Sequence, residues 1–577
     1  HHFTISPSHH LTISPSHHLT MASRYNGKLI SRLRAWHKWP SLIFTIFILL
    51  FAFSGIILNH RDLLSSVDVN RKVLPPVYRY NNWNLAAVRG AVPWGTDSIL
   101  VYGNIGIWLT DTTFTSFTDF NNGFPEGIDN RKIAAISIDS VTGIHAATLF
   151  GLYRFTPKSN HWERIPLPVP EERIVKTLSK GDSLMVMTRS NLLVATVQQG
   201  LDRFSVFPVP ASEDDDGKVG LFKTLWVIHS GEIYGMIGKL IVDAIGVIFI
   251  ILCITGLIYF FVPFRLNRLK DEFRKVRLKR FNKTSLRWHN SVGSWAILIL
   301  ILTTITGMFL RPPLLIPIAY SRVEKIKYSE LDNPNPWFDR FRDLLYDQTN
   351  HRWMVATSEG IYHADEDFTT SLKPFAVQPP VSVMGINVFR QLDSSSYLVG
   401  SFSGIFIWES ETGKVWDYFT KLPYQMTGRG APFGALSVAG YIQLAVGSRQ
   451  LAVQPFETTM PVRHGTTAPL HHGTTAPLHH STREVLFDFM GGAISLRGGK
   501  WFPPMPEEVT EKSPISLWNT ALEIHTGRIF QPVLGDFYIL VVPLVGLFAL
   551  EISIIGFLAW WVARRRKNQL SLLSKSQ

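Results

Sequence analysis

Four apolar runs divide the chain. Residues 41–58 (SLIFTIFILLFAFSGIIL) and 294–310 carry no charge, residues 240–262 hold one acid, Asp243, and residues 538–562 hold one, Glu551. Each approaches the roughly 20 apolar residues that carry a helix across a bilayer core. The first run lacks a small-residue cleavage site and is too long for the apolar part of a signal peptide, so it too is read as a span. Between the runs the period changes from helical to alternating. Residues 132–168 (KIAAISIDSVTGIHAATLFGLYRFTPKSNHWERIPLP), a stretch from Arg342 and another from Met384 repeat one plan. A strand, a polar turn, a small-residue strand, Gly-hydrophobic-aromatic and a last strand follow one another. Spacing of about 35–45 residues per four strands is propeller-blade-like, with three blades in each intervening segment. A pair of β-sandwiches is the alternative. The fold class expected is therefore mixed: an all-α four-helix transmembrane bundle with a large all-β periplasmic region, propeller-like in pattern.

Charge orients this plan. The 577 residues carry a net charge of +13 and one cysteine. The length calls for several domains, and one cysteine excludes a disulfide framework or a Cys-rich metal centre. Residues 21–40 carry five Lys/Arg, 264–288 carry ten against two acids, and 563–577 carry five. These three segments sum to +18, so the remainder is −5. Basic flanks stay in the cytoplasm, which places both termini and the middle loop inside. The charge thus reports topology and a lipid bilayer partner, with no nucleic acid. The expected order is a cytoplasmic N-terminus and first span at 21–58, a periplasmic segment at 59–237 and a second span at 238–263. A basic cytoplasmic loop at 264–288 and a third span at 289–311 come next. A second periplasmic segment at 312–524, a fourth span with its lead-in at 525–562 and a cytoplasmic tail at 563–577 complete the chain. The expected location is the bacterial inner membrane.

Of 20 histidines, eleven lie in two tracts of period eight, at 1–20 and 464–480. These read as low-complexity repeats and are set aside. His145, His161, His351 and His363 lie in outer strands without ligand spacing and read as surface or strand-packing residues. The other five, His37, His60, His229, His289 and His525, sit near span ends. Neutral imidazole is a common axial ligand of haem iron, and a haem between helices needs one histidine from each of two facing helices. On the inner side His37 and His289 form the natural pair. On the outer side His229, His525 and His60 compete. The spans also repeat internally. His37 precedes Ser54-Gly55 and His289 precedes Thr306-Gly307, each by 18 residues from histidine to glycine. His229-Ser230-Gly231-Glu232-Ile233-Tyr234 matches His525-Thr526-Gly527-Arg528-Ile529-Phe530, and the distances on to Gly256 and Gly556 are 27 and 31. Small residues there would admit a flat macrocycle or a neighbouring helix. The repeat favours His229 with His525. Yet His229 lies 13 residues before Val242, roughly 20 Å if helical throughout, which favours His60.

AWHKW, HSGEIYGMIGKLIVDAIGVIFIILCITGLIYFF, WHNSVGSWAILILILTTITGMFL and HTGRIF resemble the PepSY-associated transmembrane family. The likeness covers the four spans and their flanks. It implies a haem-bearing four-helix unit, since members include inner-membrane reductases of ferric siderophores. Its ectodomain is expected to depart from the family, with propeller-like strands where a PepSY module would stand. The function expected is an inner-membrane b-type haem protein carrying two haems. It would move electrons outward to a periplasmic acceptor or partner protein, with ferric iron or a ferric chelate as the acceptor class. No NAD or flavin motif is present, so a cytoplasmic or quinol donor would supply electrons. A non-enzymatic sensor or an envelope scaffold is the alternative. A sensor would need an output domain, for which the cytoplasmic segments are short. Glu551, deep in a span, is a candidate for proton transfer or a structural hydrogen bond, whereas Asp243 is expected to be solvated near a span end. Trp36, Trp39, Trp288, Trp560 and Trp561 read as an aromatic belt, with Trp36 and Trp288 placed to cover a porphyrin face. Cys253 reads as a buried small apolar residue.

Overall fold

The computed structural model describes residues 15–95, 97–170, 173–382, 385–424, 436–446, 481–496 and 502–573. The tract at 464–480 and residues 1–14 of the N-terminal one lie outside the described residues. The chain divides into two compact units, one of His1–His60, Val219–Leu331 and Ala521–Gln577, the other of Arg61–Lys218 and Asp332–Thr520.

The first unit is helical. Helix α1 is Pro15–Asn59, α2 is Leu221–Ser230, α3 is Gly235–Leu266 and α4 is Glu272–Phe309; α5, Leu517–His525, ends in this unit, and α6 is Val541–Leu573. Four of these are long and apolar enough to cross a membrane, as the runs predict. Helices α1 and α4 each pack mainly on α3 and α6, which sets α1 diagonally opposite α4. Apolar side chains such as Ile43, Trp295 and Leu298 remain exposed on the bundle surface. A lipid-facing surface tolerates this, because helices satisfy their own backbone groups. The basic segment expected as a loop is largely helix. Asp271 caps α4 by accepting from Arg274 N at 3.2 Å, and the basic turns continue unbroken into the third span.

Among the described residues, and besides a two-stranded pair of Asp68–Val69 with Ile515–Ser516, the second unit holds six antiparallel sheets in strand order, five of four strands and one of three. Three come from each chain segment, the number expected. Their first strands are Gly90–Trp94, Ile133–Asp139, Ile174–Lys180, Phe341–Asp347, Ile386–Gln391 and Val438–Val446. Each first strand touches the next in this order, and the sixth touches the first. Five of the six slip register by one residue near their start. Such bulges sharpen twist and re-aim a strand. The turn before the third strand recurs as well. Thr148 and Thr357 hydroxyls donate to Gly151 O and Gly360 O at 2.8 Å, with both glycines at positive φ. That explains the repeated small-residue strand followed by Gly-hydrophobic-aromatic. Alternate residues interdigitate between sheets, with Trp108, Trp162, Trp353 and Trp408 fully buried. His145 packs in a strand as a fully buried residue, whereas His351 is exposed.

Candidate cofactor site: two facing histidine pairs

The first unit brings four of the five span-end histidines into two pairs. The rings of His37 on α1 and His289 on α4 have centres 6.0 Å apart. Those of His229 on α2 and His525 on α5 are 5.9 Å apart. A metal held between two imidazoles, with bonds of about 2 Å and about 1 Å more to each ring centre, sets the centres about 6 Å apart.

All four rings are anchored by one device. His37 Nδ1 donates to Ile552 O at 2.9 Å, His289 Nδ1 to Leu252 O at 3.1 Å, His229 Nδ1 to Thr303 O at 3.0 Å and His525 Nδ1 to Phe51 O at 3.0 Å. Each carbonyl lies four residues before a glycine: Gly556, Gly256, Gly307 and Gly55. A Cβ on those glycines would lie 2.8, 3.5, 2.6 and 3.2 Å from the Cε1 of the docked histidine. The glycine therefore makes room for an imidazole ring of another helix. In three cases the residue before the glycine adds a hydroxyl. Ser54 and Thr255 lie 3.1 and 3.0 Å from Nδ1 of His525 and His289, and Thr306 lies 3.3 Å from that of His229. Each hydroxyl spends its own proton on a carbonyl one turn back, Leu50, Ile251 or Leu302. It can then only accept from the imidazole. Ile555 offers no hydroxyl, and His37 relies on Ile552 alone.

A carbonyl only accepts, so every Nδ1 must carry the proton. Each Nε2 then holds a lone pair, and no hydrogen bond occupies it among the described residues. Neutral imidazole fixed through Nδ1–H is the ligand state for a metal, and the carbonyl behind it raises basicity and fixes orientation. No group of three or more His, Cys, Asp or Glu is set to hold a bare ion among the described residues. Two ligands per site suit a metal that arrives with its other ligands.

The second pair depends on a break that the helical extrapolation missed. Gly231 ends α2 at φ 82°, a single 3-10 turn follows, and Gly235 at φ 58° opens α3. The chain doubles back, so α2 packs on α4 and His229 returns to Thr303. Gly527 at φ 74° and Gly535 at φ 55° repeat this after His525. Between them the single turn Gln531–Leu534 supplies the four extra residues that separate spacings of 27 and 31.

His60 joins neither pair. Its Nε2 lies 2.7 Å from Asp243 Oδ2, and Asn59 Nδ2 donates to Asp243 Oδ1 at 2.8 Å. Asp243 is thus a bonded partner of two side chains, not a solvated acid. Trp36 and Trp288 are mostly exposed on the bundle surface. Glu551 precedes Ile552, the acceptor for His37, and is half-buried. Cys253 is buried. The anchoring hydroxyls and the carbonyls four residues before each glycine were not recognised in the sequence. The recurrence of Ser/Thr-Gly was their signal.

A helical bundle with four helices long and apolar enough to cross a membrane, two imidazole pairs and glycine notches defines the class of protein. A family model for the PepSY-associated TM region matches residues 34–564, and the chain belongs to that family. No curated protein matches. Among solved structures, the chain is similar to extracellular domains from B. thetaiotaomicron. One is described as part of a hybrid two component system, with 9% identity, 71% of this chain and 32% of that chain covered, and a TM-score of 0.32. The other, described as part of a one component system, has 10% identity, 62% and 35% coverage and a TM-score of 0.30. The chain spans about a third of their length, and at these scores the likeness carries no argument.

Proposed function

We propose that the chain is an inner-membrane b-type haem protein with one haem on each histidine pair. It would transfer electrons from the cytoplasmic face to a periplasmic acceptor. The observation that carries this reading is the pair of imidazole couples, each about 6 Å between centres and each fixed through Nδ1–H to a backbone carbonyl. A haem held there would supply a one-electron iron couple. The chain's own residues do the rest. Carbonyls of Ile552, Leu252, Thr303 and Phe51 hold the tautomer, and the glycines keep the rings close to the opposing helix. Fixed ligands and a low-dielectric surround tune a potential and limit reorganisation. From His37 to Phe51 along α1, and from His289 to Thr303 along α4, the two sites are 14 residues apart, roughly 21 Å of helix. That separation supports a reading with one site toward each face of a bilayer core.

Orientation rests on the basic segments. They flank His37 and His289, which puts the first pair on the cytoplasmic side and both termini inside. We read the second unit as a periplasmic six-bladed propeller, supported by six sheets whose first strands touch in order. It would bind the acceptor or a partner protein. Ferric iron or a ferric chelate is the acceptor class that the family resemblance suggests.

The test is haem content of the purified full chain by pyridine haemochrome. About two haems per chain are expected from two pairs. His37→Ala and His289→Ala should each lower this to about one. A colourless protein from haem-replete cells would sink the reading.

A further inference from the structure

The two halves of the bundle share a backbone plan but differ in charge beside the second pair. Arg528 stands three residues after His525, where the first half has Glu232 after His229. Arg311 stands four residues after Gly307, where the first half has Asn59 after Gly55. The chain continues as a helical turn from Gly307, with Leu310 N bonded to Gly307 O and Arg311 N to Met308 O. Arg311 therefore sits about one turn beyond the notch that receives His229. Its guanidinium hydrogen-bonds Tyr538. Arg528 Nη2 pairs with Glu523 at 2.6 Å. The Nε–H groups of Arg311 and Arg528 are both buried without a hydrogen-bond partner among the described residues. Arg311 lies within electrostatic reach of both Arg528 and Glu523.

Two buried Nε–H groups without an acceptor, near one shared carboxylate, Glu523, are an arrangement that an added anion would relieve. The opposite side of the pair is the reverse. There Glu232 is 3.2 Å from Lys239, and Asn59 and His60 are committed to Asp243. It offers no spare cation among the described residues.

We propose that Arg311 and Arg528 are a carboxylate-binding pair that anchors the acidic side chains of a haem at His229 and His525 and so fixes which edge of the macrocycle faces α4 and α5. This rests on the haem reading of the second pair. The buried Nε–H groups donate to carboxylate oxygens, charge-assisted bonds for which arginine's planar fork is suited. Tyr538 holds Arg311 and Glu523 holds Arg528, so both forks are oriented before the ligand arrives. Arg311 and Arg528 position the macrocycle and do not touch the iron.

The experiment uses the full chain in detergent. Haem loss to excess apomyoglobin should show two phases in the wild type. In Arg311→Gln and Arg528→Gln one phase should become at least about tenfold faster, as the loss of a charge-assisted contact predicts, and the other should stay unchanged. The unchanged phase reports that the bundle and first pair are intact. Arg311→Lys should restore much of the lost retention. Haem dimethyl ester, which lacks the charged oxygens, should load the wild-type second site poorly relative to haem. The glutamine variants should discriminate little between the two. Two wild-type haems with unchanged loss rates in both variants would overturn this inference while leaving the haem reading standing. A wild type without haem would instead remove the reading beneath it.

Discussion

At Gly307 and Gly556 one hydrogen in place of a methyl group decides whether a histidine can reach its carbonyl; at Gly55 and Gly256 it matters less. The space is graded. An added Cβ would approach the docked ring to 2.6 Å at Gly307, 2.8 Å at Gly556, 3.2 Å at Gly55 and 3.5 Å at Gly256. An imidazole tied through Nδ1 cannot swing away as a flexible chain end could. Alanine at Gly307 or Gly556 should therefore overpack the site, at a cost of about 1–3 kcal/mol. Gly256→Ala should be neutral or slightly stabilising, since alanine is the better helix former by about 1 kcal/mol. Haem retained per chain should rank Gly256→Ala, Gly55→Ala, Gly556→Ala, Gly307→Ala from most to least, and another order would break the link between notch and ligand. In the second unit, His145 makes the opposite point. It is fully buried between Ser137 and Arg154 in the sheet register, with neither ring nitrogen hydrogen-bonded. Burial, and then Arg154, push its pKa down to about 4. The unfolded chain takes up this proton near pH 6.5, so between about 6.5 and 4 the unfolded state binds more protons. Stability from this residue should be full above that window and fall as pH drops through it. Thermal melts of the full chain should show this slope, and His145→Leu should flatten it.

Helices and their breaks decide which of these residues meet. Each apolar run falls in a helix long and apolar enough to cross a membrane, because hydropathy over some 20 residues is insensitive to detail. The pairing of His37 with His289 was legible by side and spacing. The second pair was half-legible: the repeat pointed to His229 and His525, while helix length pointed to His60. The extrapolation failed because it assumed helix through Ser230–Gly235. His-Ser-Gly and His-Thr-Gly are helix ends, with Gly231 and Gly527 in the left-handed region. A glycine just past a histidine in an otherwise apolar helix is a C-cap signal. The two hinges are not equally forgiving. A Cβ on Gly231 would fall 2.2 Å from the Gly238 carbonyl oxygen, whereas on Gly527 it would meet only the Val541 and Val542 side chains, 3.3 Å or more away. Gly231→Ala should abolish haem at the second pair, and Gly527→Ala should cost only about 1–2 kcal/mol of stability with the haem retained. Equal haem loss in both, read from absorbance, would show that the close approach at Gly238 is immaterial.

On the scale of the chain, charge and strand period separate what belongs beside a bilayer from what does not. Three basic segments and four apolar runs were enough to separate helical from strand-rich stretches, although Val219–Gly238 and Pro312–Leu331 group with the helical unit and not with the strands. Three of the six sheets were legible as a repeat of Gly-hydrophobic-aromatic units, from Lys132, Arg342 and Met384. Their order of contact was not, because neighbouring first strands meet through packing and bulges that leave little periodic trace. Nor was the anchoring of the histidines legible, because backbone carbonyls have no residue identity. The contact pattern carries one more consequence. Every histidine docks on a helix of the half to which it does not belong: His37 on α6, His289 on α3, His229 on α4 and His525 on α1. Exchanging the halves leaves the pattern unchanged. A chain of half this length could complete neither site alone, but two copies around a twofold axis would complete both. Joined in one polypeptide, the copies no longer need to be identical, and Glu232 and Arg528 can occupy the same place with opposite charge.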